Sequence, residues 1–339
     1  MSFENLNPLV KKSGSNLSTK EFHHHVNVIF HDIESESYDQ IHQDMWENLL
    51  EQYKLLTNDF VGKLVANKPL TLMDVGCGTG LGTELVLATN LGEKIKKIIL
   101  VDVSSKMLEQ ATKRSKSWST DVVSFLGPLN EAQEKADLIL TSSVLHHIPD
   151  LKDFLYEVDR HLNPGGIFMH IHDPNGDYIH HPELLARQKE VADLDSVTNL
   201  YQWFNSSPFL KEIFHVLNRW RGKKNHIDRV NETLLQQGVI KKRLSAKEIW
   251  SITDIHVEGL PYSTQKGISF QEISKLLPQY QSVGLRSYGF FGRLGVELPT
   301  EYQIKEQELI RKDAKEGRYL AAAWQKKNSD NGDSSSLIS

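Results

Sequence analysis

Met73-Asp74-Val75-Gly76-Cys77-Gly78-Thr79-Gly80 is the stretch on which the reading of this chain turns. Its first residues end an apolar run from Thr71 that reads as a buried strand, and the glycines then turn the chain into a helical segment near Leu81–Thr89. Glycine suits that turn because the bend is tight and a ligand must approach bare backbone. Asp102 closes the next apolar run, Ile98–Val103, at 102 − 80 = 22 residues beyond the last glycine. A carboxylate there can accept hydrogen bonds from both hydroxyls of a ribose. Loop and carboxylate together read as a βα unit for a nucleoside or an adenine nucleotide.

Two ligand classes fit such a unit. A dinucleotide site has the spacing G-x-G-x-x-G, with a pyrophosphate on the helix N-terminus. This loop is G-x-G-x-G, with Asp74 two residues before its first glycine. A carboxylate so close repels a pyrophosphate but suits the ammonium group of a methionine moiety. Both ligands stay physically open, and Asp74 favours the cationic one.

Outward from the loop, short apolar runs alternate with helical segments. Strand candidates are Thr71–Val75, Ile98–Val103, Val122–Phe125, Leu138–Leu140 and Ile167–Ile171; helices are expected near Leu81–Thr89, Ser105–Lys116 and Leu151–Leu162. That alternation implies an α/β fold, a doubly wound and mostly parallel sheet covered on both faces. Upstream, Tyr38–Val65 carries apolar residues at helical spacing (Ile41, Met45, Leu49, Tyr53, Leu56, Phe60). After Ile171 the alternation stops. Residues 180–255 read as several helices rich in aromatics (Tyr201, Trp203, Phe204, Phe209, Phe214, Trp220, Trp250), and strand character returns at Ser282–Phe291 and Arg318–Trp324. The insertion is expected over the carboxyl edge of the sheet, where such folds bind ligands.

Three further segments point to one family. VDVSSKMLEQA (Val101–Ala111), ADLILTSSVLHHIPD (Ala136–Asp150) and HLNPGGIFMHIHDPN (His161–Asn175) follow the glycine loop in order. With it they resemble the class I, Rossmann-like S-adenosylmethionine-dependent methyltransferases, over Phe30 to about Asn175 and more loosely the two late strands. The resemblance implies a seven-stranded sheet with an antiparallel last strand, and S-adenosyl-L-methionine as cofactor. It implies a cofactor site of Asp74, Gly76, Cys77, Gly78 and Gly80, with Asp102 on the ribose, Val103 and Met107 near the adenine, and Thr141 and Ser142 facing the methionine part. FHDIESESYD (Phe30–Asp39) looks like the segment that closes over the cofactor, with Tyr38 as a contact. The match departs after strand three, where an acidic residue is common and this chain reads Phe125-Leu126-Gly127-Pro128-Leu129; backbone groups are expected to serve the adenine.

The expected organisation is then a flexible N-terminal arm (1–20), a helical cofactor-closing segment (21–66), a core of residues 67–175 and 280–325, a helical insertion or substrate lid (176–279) and a disordered tail (326–339). The formal charge of −5 and pI near 6.3 argue against an obligate nucleic-acid or anionic-membrane binder. No apolar run approaches membrane-spanning length, which suggests a cytoplasmic protein. The single cysteine, Cys77, permits no intramolecular disulfide.

The sulfonium methyl of such a cofactor is already activated, so the protein mainly aligns a nucleophile with it. A base is needed only where the acceptor must lose a proton. His147 after strand four, His172 at the end of strand five and His256 in the late loop are the candidates, with Asp173 and His181 for acceptor binding; His170 reads as a core residue. A metal site is not expected, because scattered histidines do not establish convergence. The run Arg219-Trp220-Arg221-Gly222-Lys223-Lys224 reads as a solvated helix face that could also meet an anionic acceptor group. A small-molecule acceptor, methylated on oxygen or nitrogen rather than carbon, is favoured. A nucleic-acid or protein methyltransferase and a non-catalytic cofactor-binding module are the alternatives.

Overall fold

A computed structural model of the chain describes residues 3–36, 38, 43–64, 68–203, 226–295 and 298–328, with backbone alone for 43–47 and 194–203. The strands are β1 (Leu70–Val75), β2 (Ile95–Asp102), β3 (Asp121–Leu126), β4 (Ala136–Ser142), β5 (Leu162–Pro174), β6 (Tyr280–Tyr288) and β7 (Tyr319–Lys326). They form one seven-stranded sheet in the order β3-β2-β1-β4-β5-β7-β6. Only β7 runs against its neighbours, β5 and β6. This is the expected architecture, including the antiparallel last strand.

The helices are α1 (Asn7–Ser13), α2 (Thr19–Glu34), α3 (Gln43–Phe60), α4 (Leu81–Leu87), α5 (Ser105–Ser115), α6 (Leu151–His161), α7 (Pro182–Trp203), α8 (His226–Gln236), α9 (Ala246–Thr253), α10 (Phe270–Leu276) and α11 (Thr300–Arg311). Successive strand residues point to opposite faces and so feed two cores. Leu72, Leu100, Leu140 and Met169 meet Leu49, Tyr53, Leu56 and Phe60 of α3 on one face. Met73, Ile99, Ile139 and Phe168 meet Leu155 and Val158 of α6 on the other. The strand order reverses between β1 and β4, which opens a crevice at their carboxyl ends.

The N-terminal residues correct the sequence reading. Residues 3–13 are helical rather than a mobile arm, and Leu6 and Leu9 are fully buried. They join Phe22, Val26 and Ile29 of α2 and Val230, Leu234, Ile249 and Ile252 of α8 and α9 in a third core. Local signals support these helices: Gly14 ends α1 in the left-handed region, and Ser18 with Glu21 forms a capping box at the start of α2. The covering helices lie more than two hundred residues downstream, so the burial has no local sequence signature. The basic run at residues 219–224, the aromatics from 204 to 220 and most of the expected tail lie outside the described residues.

Candidate cofactor and acceptor site

The glycine loop closes on the end of β2. Gly76 and Cys77 donate their amides to the Val101 carbonyl, at 2.8 and 3.0 Å. Gly76, at φ 67°, lies against Val144, and an added Cβ would meet that side chain at 2.7 Å. Gly78, at φ 53°, would meet nothing within 4 Å, so its backbone borders open space. Asp102 ties the loop together: Oδ2 accepts from the Gly78 amide at 2.8 Å and Oδ1 from the Ser104 amide at 2.8 Å. Burial raises its pKa while these amides hold it down.

A cavity of about 360 Å³ opens there. Of the expected cofactor residues, Tyr38, Gly76, Gly78, Asp102, Val103, Met107 and Ser142 line it. Gly127, Pro128 and Leu129 line it too, placing backbone where the sequence lacks an acidic residue. Asp74, Cys77, Gly80 and Thr141 are not lining residues and stand behind the wall. Burial pushes the Asp74 carboxyl up to about 7. Its Oδ2 accepts from the Thr83 amide and hydroxyl, while its Oδ1 has no partner among the described residues. Burial also drives the Cys77 thiol well up, which leaves it a poor nucleophile.

The donor and acceptor set fits S-adenosylmethionine. Asp102 lines the cavity with lone pairs to spare, Gly78 leaves room against its backbone, and Asp74, an acidic group behind the wall with one oxygen unpartnered among the described residues, favours a cationic amine in front of it. Sequence reasoning missed part of the wall. Phe3, Lys20, His23, His24, Asn27 and His31 also line this cavity, because α2 is clamped over it by the third core.

A second cavity, of about 940 Å³, adjoins the first and shares His31, Tyr38, Ser143 and His147 with it. The insertion supplies Ile179, Leu184, Leu185, Gln188, Trp250, Asp254, Val257 and Glu258, the sheet supplies His172 and Tyr319, and the chain beside its strands supplies His146 and Arg318. Two residues of the larger cavity's wall have left-handed backbones, Ser143 at φ 56° and His172 at φ 68°. Uniform alternation would put His172 on the same face as buried His170. The pairing with β7 slips between Ile171 and Asp173, a bulge that re-aims His172 into the cavity. There Nδ1 lies 3.0 Å from the Tyr288 hydroxyl and the ring stacks on Tyr319 at 4.4 Å.

The other histidines separate. His147 lines both cavities, and burial together with His146 and His31 drives its pKa well down. His256 faces neither of these cavities; Nδ1 bonds Thr264 Oγ1 at 2.9 Å and Nε2 bonds the Ile148 carbonyl at 2.9 Å. Both nitrogens being occupied, it clips two loops together, contrary to the catalytic expectation. Asp173 is fully buried and is no acceptor contact; its Oδ1 lies 2.8 Å from His146 Nδ1. His181 is absent from the cavity wall and packs against Tyr178. Asp254 was not singled out from sequence, and His146, which follows strand four beside His147 in the same turn, was not among the site residues expected there.

Residues 73–168 match the model of a methyltransferase domain. A 122-residue stretch is 30% identical to a highly reducing polyketide synthase of Fusarium sp., covering 33% of this chain and 5% of that protein. A 202-residue stretch is 27% identical to a malonyl-[acyl-carrier protein] O-methyltransferase of Priestia megaterium, covering 58% of this chain and 66% of that protein. The chain thus spans only a small part of the polyketide synthase and about two thirds of the smaller relative. Among solved structures, one described as a putative sarcosine dimethylglycine methyltransferase from Galdieria sulphuraria is similar with a TM-score of 0.45 and 11% identity, over 82% of this chain and 86% of that one. Sheet order, glycine loop and matched segment agree: residues 73–168 carry a methyltransferase domain, and the fold is that of the class I, Rossmann-like S-adenosylmethionine-dependent methyltransferases.

Proposed function

We propose that this protein transfers a methyl group from S-adenosylmethionine to a small-molecule acceptor held in the larger cavity. One observation carries the reading: the cofactor cradle and the 940 Å³ cavity adjoin through four shared residues, so a donor in one faces an acceptor in the other. The cofactor, when bound, supplies an activated methyl on a sulfonium. Asp102 holds the ribose, the loop backbone excludes water beside it, and Asp74 balances the ammonium group. His172 positions the acceptor by its ring at the wall of the larger cavity, and a proton that must leave has a polar path out along that wall. Oxygen and nitrogen acceptors suit polar groups so placed, and the cavity walls added by the insertion suit a compact molecule rather than a polynucleotide. Among the described residues no helix is long and apolar enough to cross a membrane.

Calorimetry with S-adenosylmethionine and S-adenosylhomocysteine tests the cofactor half. Binding of each at one equivalent is expected. Binding of NADH in their place would move the protein to redox chemistry. Transfer of a labelled methyl to a panel of hydroxylated and amine-bearing small molecules tests the acceptor half.

A further inference from the structure

We propose that His146, His147 and Asp254 hold a divalent transition-metal ion of the zinc class at the junction of the two cavities. This departs from the sequence reading, in which no such convergence was expected. One donor atom of each residue lies within 4.8 Å of the others. His146 Nε2 stands 3.7 Å from Asp254 Oδ1. Donors on a tetrahedral ion with bonds of about 2.1 Å are about 3.4 Å apart, so small side-chain rotations close the site.

The groups behind the imidazoles argue for ligation. Asp173 Oδ1 stands 2.8 Å from His146 Nδ1. The Thr253 carbonyl, which can only accept, lies 2.7 Å from His147 Nδ1. Both Nδ1 atoms are thereby engaged as donors, which leaves the Nε2 atoms to ligate; the His147 Nδ1 stands 3.4 Å from Asp254 Oδ1, so the carboxylate must swing toward the Nε2 edges to close the site. A carboxylate or carbonyl behind a ligating histidine is the usual support of such sites. His31, held by Glu34 at 3.0 Å, has its ring 5.3 Å from that of His147 and brings a third imidazole to the same junction. Two imidazoles and one carboxylate, with a side open to the cavity, select zinc, iron, cobalt or nickel over magnesium or calcium.

The role rests on the methyl transfer proposed above. The ion would lower the pKa of an acceptor hydroxyl, whose proton leaves to solvent. An oxygen lone pair then forms the new O–C bond as the C–S bond breaks, giving a methyl ether and S-adenosylhomocysteine.

The test uses the full chain, stripped with a chelator and dialysed. It is titrated with Co²⁺, followed by visible d–d absorption, and with Zn²⁺ by calorimetry. One equivalent of each is expected to bind. His146→Gln and Asp254→Asn should each weaken binding tenfold or more, with melting curves confirming that the variants fold. Asp173→Asn should weaken it by about 10–100-fold. Binding below one equivalent, or binding indifferent to His146→Gln and Asp254→Asn in folded protein, overturns the site. So does full methyl transfer by chelator-treated protein that His146→Gln abolishes, since the imidazole then acts as a free base. Calorimetry with S-adenosylhomocysteine on the same samples separates the readings: its loss in the wild type sinks the methyltransferase reading and leaves the ion titration standing.

Discussion

Asp173 Oδ1 lies 2.8 Å from His146 Nδ1 and 3.2 Å from the His146 amide, so one buried carboxylate fixes both the ring and the backbone of the turn after β4. The two residues are 27 apart in sequence and meet because β4 and β5 pair in parallel, with Ser142 opposite Ile171. The ring is thereby directed toward the junction of the two cavities. Asp173→Asn should lower turnover ten- to a hundredfold while leaving S-adenosylhomocysteine affinity within about twofold. Steady-state kinetics beside calorimetry would show it, and an equal loss in both would contradict the assignment.

Asp102 receives two backbone amides and lines the smaller cavity, so its removal unties the loop and, on the proposed function, takes away the acceptor for the ribose. Hydrogen bonds to a charged group contribute about 1.5–3 kcal/mol each. Asp102→Ala should weaken cofactor binding by at least tenfold in a protein that still melts cooperatively. Unchanged affinity in a folded variant would refute the ribose role.

His256→Ala should damage stability rather than chemistry. It leaves the Ile148 carbonyl and the Thr264 hydroxyl without their ring partner, a loss of about 1–3 kcal/mol. His172→Ala, by contrast, removes a ring that faces the acceptor cavity. It should raise the acceptor KM with little change in melting temperature. Swapped outcomes for the two variants would reverse these roles.

Leu9→Ala should loosen the cap over the cofactor. Leu9 is fully buried in the core shared by α1, α2, α8 and α9, where such truncations cost about 2–5 kcal/mol. Hydrogen exchange is expected to quicken in α2, α8 and α9 and to hold in β1, β2 and β4. Cofactor affinity should fall, because α2 lines the cradle.

Glu306 predicts a pH dependence. Burial raises its carboxyl pKa to about 7, against the pull of the Gly289 and Phe290 amides, which it accepts at 2.7 and 2.9 Å. The folded chain therefore binds a proton more tightly than the unfolded one, whose glutamate titrates near 4.3. Stability from this group is full below that value and declines as pH rises toward about 7. Glu306→Gln keeps an acceptor for one of the two amides and should flatten the fall in melting temperature between pH 5 and 8, by an effect on the order of 1–3 kcal/mol. An identical slope in wild type and variant would exclude Glu306 as the cause.

Local patterns determined the α/β alternation and the nucleoside-binding loop, and the family resemblance added the seven-stranded order with its antiparallel last strand. A glycine turn after a buried strand, a carboxylate at the end of the next, and short apolar runs alternating with helical segments are properties of short windows. They located β1 to β5 to within about five residues, and Gly76, Gly78 and Asp102, with the Val103 and Met107 that the family resemblance added, line the smaller cavity. Tertiary structure decided what depends on distant segments meeting. Residues 3–13 look polar and aperiodic, yet Leu6 and Leu9 are buried by helices that follow residue 226. His256 resembled a base until both of its nitrogens were found occupied. His146 and Asp254, 108 residues apart, form one cluster only because the insertion folds back over the strand ends. Periodicity records which face of an element is apolar, but convergence of polar groups is a property of the assembled chain.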